Sequence, residues 1–375
     1  MRFLQPSERS LAAELWRGLE DALDSKTIAC GWDWTETWLR HYGDLVPHRF
    51  AVAEGDGEAH GIALVTEGVQ RRRGPFKVRT LHLGTAGEPV GDSVYVEYNR
   101  MLVHEAHRDA FAIALLAAIR RTEGWDELTL DGFVPGEAAA FMTAEPRLTA
   151  RIDPCPVMDL RPARSHGDAM ADLRSSVRSR IRRSLRLLGP LQTEWATTND
   201  HALDVLDELI ALHQARWTAE GLPGLFSSAR LTAFHRELVP RLLADERAVL
   251  YRVRNNAGTV GCLYGYVEDN RVLCYQSGFA GFTEDNRIKP GLVTHALCMQ
   301  EALERGIDEY DFLAGDQRYK RELANMERQL VWARAVRRRP KPMAIEGLRR
   351  LRRAYGRRAE APTGGADEAA EGTGG

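Results

Sequence analysis

Residues 248–279 read AVLYRVRNNAGTVGCLYGYVEDNRVLCYQSGF, and they decide the fold class. Ala248–Arg254, Thr259–Glu268 and Val272–Phe279 are rich in the β-branched and aromatic residues that strands favour. Asn255–Gly258 and Glu268–Arg271 separate these segments and supply turn-forming residues. The stretch therefore predicts three antiparallel strands joined by short turns.

An amphipathic helix is predicted after these strands. It begins at Pro290 and ends at Arg305, where Gly306 stops it. Its apolar stripe consists of Leu292, Ala296, Met299 and Leu303. A further strand is predicted at Ile307–Leu313. The order in this half is three antiparallel strands, a helix and a strand.

The N-terminal half repeats this order more loosely. Strands are predicted at His48–Glu54, Gly61–Gly68, Phe76–Leu83 and Tyr95–Val103, a helix at Arg108–Arg121 and a strand at Glu127–Phe133. Phe50 and Gly61 lie 200 residues before Leu250 and Gly261, at corresponding places of the two hairpins. Two related halves are therefore expected.

The predicted organisation has two domains and a C-terminal extension. Residues 1–160 form a degenerate N-terminal domain, and residues 161–340 form a C-terminal domain. The second domain is expected to open with helices at 168–188, 201–219 and 229–244. Residues 341–358 are predicted to form a basic helix, and residues 359–375, which lack large apolar side chains, a disordered tail.

Composition is that of a soluble globular protein, with 44% hydrophobic and 28% charged residues. The net charge of −2 conceals two basic segments: residues 334–358 carry eleven Lys or Arg against Glu346, and residues 171–188 carry six Arg against Asp172. Such segments indicate anionic partners, such as phosphate, nucleic acid or a membrane surface, or else a solvated basic face. With no apolar run for a membrane span or signal peptide, a cytoplasmic protein is expected.

The cysteines and histidines give no sign of a metal site. The five cysteines are Cys30, Cys155, Cys262, Cys274 and Cys298, and they contain no Cys-x-x-Cys pair. Buried free thiols are expected, with a disulfide between Cys262 and Cys274 as the alternative. His104 and His107 have no apparent third ligand, so no metal is expected there.

A candidate anion site lies at the start of the amphipathic helix predicted from Pro290, in the segment RIKPGLVT, residues 287–294. Proline suits the first helical position, and a glycine after it lets a ligand approach the backbone. Free N–H groups at the positive end of the helix dipole could hold a pyrophosphate, with ordinary helix capping as the alternative. The residues concerned are Arg287, Lys289, Pro290, Gly291, Leu292, Val293 and Thr294, with the free N–H groups expected at the last three.

A candidate catalytic group lies in YDFLAGDQRYKRE, residues 310–322. Gly315 breaks the strand, so Asp316, Tyr319 and Lys320 are displayed where it ends, a common place for ligand sites in α/β sheets. Tyr319 and Lys320 can donate a proton or stabilise an anion, and Asp316 can orient an amine or accept its proton. A solvated loop is the alternative.

Four segments in this order resemble the GNAT N-acyltransferases of the CelD-like, cellulose-biosynthesis-type group, which are related to the FemAB peptidyltransferases. The segments are Gly31–Leu39 (GWDWTETWL), Leu173–Leu185 (LRSSVRSRIRRSL), Lys289–Leu292 (KPGL) and Tyr310–Lys320 (YDFLAGDQRYK). The resemblance spans about residues 28–335. It implies an α/β protein of two tandem GNAT-like halves, each a mixed, mostly antiparallel sheet flanked by helices.

The resemblance also implies that the second half binds an acyl-CoA. Its pyrophosphate would lie on the helix that begins at Pro290 and Gly291. Its pantetheine arm would lie along the strand that contains Gln276, Ser277, Gly278 and Phe279. The first half has no comparable glycine at its helix start, so it is interpreted as a partner domain that shapes the acceptor cleft. Trp32, Trp34 and Trp38 either line an acceptor pocket or pack in the core.

The expected function is N-acyl transfer, most simply of acetyl from acetyl-CoA, to a small-molecule, peptide or sugar amine. Tyr319 would protonate the leaving thiolate, Asp316 would orient or deprotonate the amine, and Lys320 would stabilise charge. Two alternatives stay open. One is a FemAB-like transferase that takes its acyl group from charged tRNA held by the basic segments. The other is a non-catalytic binding module whose basic C-terminal helix contacts anionic lipid or another protein.

Overall fold

The computed structural model describes residues 1–23, 27–55, 57–69, 72–73, 76–281 and 286–337. The predicted basic helix at 341–358 and the predicted tail at 359–375 lie outside the described residues. The helices are α1 (Arg9–Ala22), α2 (Trp32–Tyr42), α3 (Arg108–Arg121), α4 (Pro135–Ala144), α5 (Ser175–Leu188), α6 (Asn199–Ala219), α7 (Ala229–Ala244), α8 (Pro290–Glu304) and α9 (Arg318–Leu323). The strands are β1 (Arg2–Leu4), β2 (His48–Gly55), β3 (Glu58–Glu67), β4 (Arg72–Arg73), β5 (Phe76–Lys77), β6 (Thr80–Leu83), β7 (Leu102–Val103), β8 (Glu127–Phe133), β9 (Thr149–Asp159), β10 (Gln192–Trp195), β11 (Ala248–Asn255), β12 (Gly258–Glu268), β13 (Arg271–Phe279), β14 (Glu309–Asp311) and β15 (Met326–Val336).

Most strands belong to one mixed sheet. Their order is β1-β2-β3-β6-β8-β15-β9-β14-β13-β12-β11-β10, with β7 paired to β3, while β4 and β5 form a separate ribbon. Among the described strands, the pairs β6–β8 and β13–β14 are parallel and the other pairs are antiparallel. A parallel pair needs a crossover connection, and here the crossovers contain α3 and α8.

The predicted order of three antiparallel strands, a helix and a strand is confirmed in the C-terminal half. It is confirmed in the N-terminal half with a correction, because the strand predicted at Phe76–Leu83 is divided into β5 of the separate ribbon and β6 of the main sheet. In the N-terminal half, β2, β3 and β6 are antiparallel and β8 follows α3; in the C-terminal half, β11, β12 and β13 are antiparallel and β14 follows α8. The registers also correspond, because Ala53 pairs with Gly61 and Val253 with Gly261, and each hairpin is irregular at the next residue. The fold class is therefore a mixed, mostly antiparallel α/β sheet flanked by helices.

Two glycines let the crossover helices pack directly on the sheet. A Cβ atom built on Gly61 would lie 2.7 Å from the Phe111 ring of α3. One built on Gly261 would lie 2.5 Å from Thr294 Oγ1 of α8. At equivalent positions of the two hairpins, a glycine thus packs against the equivalent helix.

We expect Gly261→Val to lower the free energy of unfolding by about 1–3 kcal/mol, because the added side chain would push α8 away from β12. Urea denaturation of the purified variant measures the loss. Gly18→Val is the control, since no atom lies within 4 Å of a Cβ built on Gly18. Equal losses in the two variants would contradict the close approach of α8.

The two halves share the sheet through their last strands. β15 pairs with β8 of the N-terminal half and with β9, and β9 pairs on its other side with β14. The sheet therefore runs past residue 160 without a break. The division into domains at that residue stays a prediction.

Helices cover both faces of the sheet. α1, α2, α6 and α7 pack on one face around a shared core, while α3 and α4 cover the other face in the N-terminal half and α5 and α8 in the C-terminal half. Trp32, Trp34 and Trp38 are at most 4% exposed and lie in the shared core. Of the two interpretations of these tryptophans, core packing is the one that holds.

The cysteines are free, as expected. Cys30, Cys155, Cys262 and Cys298 are buried and Cys274 is half-buried, so the alternative disulfide between Cys262 and Cys274 is not formed. Burial raises the pKa of the Cys274 thiol to about 11, which keeps it protonated at neutral pH.

The strand predicted at Tyr95–Val103 is wrong over most of its length, because only Leu102–Val103 is a strand. Tyr95 and Tyr98 have φ angles of 45° and 54°, in the left-handed region that a strand excludes. The Tyr98 hydroxyl instead donates to the Asp311 carboxylate on β14. This segment therefore takes its shape from contacts with the other half of the chain.

Candidate active site

β13 and β14 separate after three paired residues. Arg271–Leu273 pair in parallel with Glu309–Asp311, and beyond Leu273 no described strand pairs with this edge of β13. A bulge at Tyr275 changes the direction of β13 just after the pairing ends. A gap therefore opens between the ends of the two strands.

The N-terminal half lacks an equivalent gap. β6 pairs with β8 along its whole length, from Thr80 with Glu127 to Leu83 with Leu130. Asn99 adds a contact at the end of β6, since its side-chain amide donates to the Leu83 carbonyl at 2.9 Å. Among the described elements, the gap beyond the parallel strand pair is thus a feature of the C-terminal half alone.

A cleft of about 660 Å³ lies at the C-terminal end of β13, beyond the point where β13 and β14 separate. It is lined by Phe279 at the end of β13 and the two residues after it, and by Lys289 and the first turn of α8 as far as Leu292. The C-terminal end of α6 and Tyr319 of α9 complete the lining. The structure therefore brings together Phe279, Lys289, Pro290, Gly291, Leu292 and Tyr319 of the predicted site. We call this space the strand-end cleft.

Ser184 of α5 fixes the loop that leads into α8. Its hydroxyl donates to the Arg287 carbonyl and accepts from the Lys289 N–H, both at 3.1 Å. Ser184 is fully buried and Lys289 is exposed at the cleft. The arginine-rich helix thus helps to build the site through its one buried serine.

The first turn of α8 offers fewer free N–H groups than predicted. The Val293 N–H donates to the Lys289 carbonyl at 3.2 Å, and the Thr294 N–H falls within the helical bonding pattern. Thr294 Oγ1 also donates to the Pro290 carbonyl at 2.9 Å. The prediction is therefore corrected: the N–H groups left to a ligand are those of Gly291 and Leu292, and Val293 and Thr294 are buried.

Tyr319 is held at the cleft by an aromatic stack. The His295 ring of α8 lies 5.6 Å from the Tyr319 ring at an interplanar angle of 22°. Burial raises the pKa of the Tyr319 hydroxyl, so that this group is protonated at neutral pH. Burial, with help from the Lys320 charge, lowers the pKa of His295 to about 3, so the stacked imidazole is neutral.

The other two predicted catalytic residues do not line the cleft. The Asp316 side chain is 63% exposed and forms an ion pair with Arg321. Lys320 is buried, and its ammonium donates to the Ala314 carbonyl at 2.9 Å and to the Leu313 carbonyl at 3.4 Å. Successive residues of a helix point about 100° apart, so Tyr319 and Lys320 face different sides of α9.

Three of the four predicted pantetheine-binding residues lie on β13 outside the lining of the cleft. Gly278 packs against α6, since a Cβ built on it would lie 2.5 Å from the Leu209 carbonyl oxygen. Gln276 and Ser277 are half-buried and pair with β12. Arg287 reaches the site through its backbone carbonyl, as described above.

The contribution of α6 to the cleft was not predicted from the sequence. Its cleft-lining residues, at helical spacing, are Leu212, Ala215, Arg216, Ala219 and Glu220. Arg216 Nε donates to Glu220 Oε1 at 3.2 Å, which places a charged pair at the cleft. The signal was an apolar stripe that ends in charged residues at the C-terminal end of the predicted helix.

Comparison with protein families supports an acyltransferase domain in the C-terminal half. Residues 171–321 match the family model described as Acetyltransferase (GNAT) domain. This range contains α6, α8 and Tyr319, which line the strand-end cleft, and α5, whose Ser184 holds the loop before α8. Comparison with curated protein sequences gave no match.

Solved structures share the fold along nearly the whole chain. FemX is 10% identical, with a TM-score of 0.56 over 89% of this chain and 97% of its own. L-PGS from Bacillus licheniformis is 11% identical, with a TM-score of 0.54 over 90% and 95%. The C-terminal domain of a putative lysylphosphatidylglycerol synthetase from Agrobacterium fabrum is 12% identical, with a TM-score of 0.53 over 91% and 96%.

The chain therefore shares the fold of FemX, and residues 171–321 match a GNAT acetyltransferase domain. Within the described residues, no group of three or more His, Cys, Asp or Glu could hold a metal ion. No helix among the residues that the structure describes has the length and apolarity to cross a bilayer.

Proposed function

We propose that this protein is an N-acyltransferase that uses an acyl-CoA, most simply acetyl-CoA, as donor and an amine as acceptor. The observation that carries the proposal is the separation of β13 from β14 after Leu273. It puts an unpaired strand edge and the N-terminus of α8 beside one cleft. The resemblance to CelD-like acyltransferases supports the same donor.

The strand-end cleft suits a long donor with an anionic end. The N–H groups of Gly291 and Leu292 lie at the positive end of the α8 dipole, and Lys289 adds a charge beside them. The open edge of β13 reaches the cleft at Phe279 and the two residues after it, where backbone groups are available to the amides of a pantetheine arm. The volume of about 660 Å³ falls within the range of small-molecule sites.

Tyr319 is the chemical group that the cleft offers. Acyl transfer forms a bond between the amine nitrogen and the carbonyl carbon and breaks the carbon–sulfur bond of the thioester. The Tyr319 hydroxyl, which burial keeps protonated, gives its proton to the leaving sulfur. The amine loses a proton to water, and the Tyr319 phenolate takes a proton back from water, so that the hydroxyl is restored. Asp316 and Lys320 take no part at the cleft in this proposal, since neither lines it.

A charged tRNA is the second candidate donor, and one observation favours it. α5 exposes Arg182, Arg183 and Arg186, and Arg174 immediately before the helix is exposed as well. Ser184 of the same helix holds the loop at the cleft. Such a basic face could contact an RNA backbone, and its binding would weaken steeply as salt is added.

The release of free thiol tests the proposal. We expect the protein, incubated with acetyl-CoA and a primary amine such as 1,5-diaminopentane, to release one thiol for each acetylated amine that mass spectrometry detects. Transfer that occurs only from charged tRNA would overturn the acyl-CoA donor. Saturable binding of acetyl-CoA without turnover over a panel of amines would indicate the non-catalytic module.

A further inference from the structure

A second cavity, of about 690 Å³, lies over the N-terminal half of the sheet and is separate from the strand-end cleft. Strands β6, β8 and β15 and the connection from Thr85 to Glu97 line it. Its titratable lining residues are His82, Glu88, Tyr95, Glu97 and Asp131, and no Lys or Arg is among the described residues that line it. We call this cavity the acidic pocket.

Glu88 carries an acceptor that the described residues leave unused. The residue is 7% exposed, and its Oε1 accepts from the Val94 N–H at 2.9 Å. Its Oε2 is buried and has no hydrogen-bond partner among the described residues. A buried polar atom without a partner costs about 1–3 kcal/mol, and more when it is charged. The arrangement favours a donor that comes from outside the chain.

Glu97 faces the same cavity with a similar environment. Its Oε2 accepts from the Ala314 N–H at 2.8 Å. Burial raises the pKa of both carboxyls, Glu88 and Glu97, to about 7. The charged groups near Glu88 are His82 and Asp131, and Asp131 Oδ2 lies 2.8 Å from His82 Nδ1. The charged groups that influence the pKa of Glu97 are Lys320, Asp311 and Asp153. Within the described part of the chain, neither glutamate forms an ion pair.

The acidic pocket lies beside the proposed reaction site. Trp332 of β15 lines the acidic pocket. Its neighbours Val331 and Ala333 pack into the core on one face of the sheet, so Trp332 points to the other face, which α6 also covers. From β15 to β13 the order is β15-β9-β14-β13, three strand spacings or about 14 Å. The Ala314 peptide connects the two sites, since its N–H donates to Glu97 and its carbonyl accepts from Lys320, the neighbour of Tyr319.

We propose that the acidic pocket binds a positively charged ammonium or guanidinium group, and that the acceptor is an extended amine with a second cationic group held there. The inference rests on the buried Glu88 oxygen, which has no partner within the described ranges, and on the acidic lining of the pocket. The assignment of the bound cation to an acceptor rests on the proposed function; the binding of the cation does not.

Binding of 1,5-diaminopentane in the absence of any donor tests the pocket. At pH 8 both glutamates are ionised and the diamine stays protonated, since an alkyl amine has a pKa near 10.4. Isothermal titration is expected to show saturable binding of the diamine and none of 1,5-pentanediol, which has the same length without the charges. Equal binding of the two probes, or binding of neither, overturns the proposal.

Two isosteric variants locate the binding. Glu88→Gln and Glu97→Gln should each weaken diamine binding about tenfold or more, while Glu14→Gln, at an exposed position of α1, should leave it unchanged. Thermal melts check that the variants are folded, and either glutamate variant alone suffices if the other fails to fold. Folded glutamate variants with wild-type diamine affinity would move the site out of the acidic pocket.

The two proposals fail in different ways. Diamine binding that depends on Glu88, in a protein that binds no acyl-CoA, would remove the proposed function and support the cation site. Acyl-CoA turnover with a Km for the diamine that Glu88→Gln does not change would remove the cation site and leave the transferase.

Discussion

Tyr319→Phe is expected to lower kcat for acyl transfer about 100-fold, within the range that a general acid contributes. The substitution removes one hydroxyl and keeps the ring that stacks on His295 and lines the strand-end cleft. Acyl-CoA affinity should therefore change little, so the loss should fall on kcat and not on Km. Steady-state kinetics with a thiol reagent gives both constants.

The control for this substitution is Tyr251→Phe. Tyr251 is fully buried on β11 in the core beneath α5 and α8, so its variant loses a hydroxyl without altering the cleft. Wild-type turnover in Tyr319→Phe, or an equal decrease in Tyr251→Phe, would eliminate Tyr319 as the proton donor.

Gly291→Glu is expected to weaken acyl-CoA binding at least 100-fold, or about 2.7 kcal/mol. The new carboxylate would lie in the first turn of α8. There the anionic part of the acyl-CoA would otherwise accept hydrogen bonds from the N–H groups of Gly291 and Leu292. A Cβ at this position would also lie 3.2 Å from the Phe279 ring, which narrows the cleft. The helix itself tolerates the change, because a carboxylate is favourable in a first turn.

α4 offers a matched control for this variant. It also begins with Pro-Gly, and Gly136 occupies the position in α4 that Gly291 occupies in α8. Gly136→Glu should leave acyl-CoA affinity unchanged, as measured by isothermal titration. If folded Gly291→Glu binds acyl-CoA as tightly as Gly136→Glu does, the anionic part of the donor lies elsewhere.

Local sequence patterns predicted the elements that depend on local chemistry. The helices Arg108–Arg121 and Ala229–Ala244 have the predicted bounds, and Pro290 begins α8 as expected. Turn residues, a first-position proline and a terminal glycine act within a few residues of the chain. Such signals can be read from one sequence.

Long-range pairing could not be predicted in the same way. β9 and β15 pair across 169 to 185 residues of chain, and nothing in either segment specifies the other as its partner. The segment from Tyr95 also looked like a strand because aromatic residues favour strands. Its backbone follows contacts such as the bond from Tyr98 to Asp311, which lie in the other half.

The candidate site was predicted in part for the same reason. The start of α8 and Tyr319 were found because each follows a local break in the chain. Side-chain direction decides the rest: Lys320 turns away from the cleft to bind the carbonyls of Leu313 and Ala314, and Asp316 pairs with Arg321. Ser184 lies within an arginine-rich segment, and nothing in that segment distinguishes it from the other serines. Only its burial in the structure shows that it binds the loop before α8.

Hydrogen exchange with acetyl-CoA tests the central claim, that the strand-end cleft is the donor site. We predict slower amide exchange, on adding acetyl-CoA, in peptides that contain the end of β13 and the first turn of α8, from Gln276 to Gly281 and from Lys289 to Leu292. Gly291→Glu should abolish this protection and Gly136→Glu should not. Protection confined to other parts of the chain, or seen with charged tRNA and not with acetyl-CoA, would contradict the account.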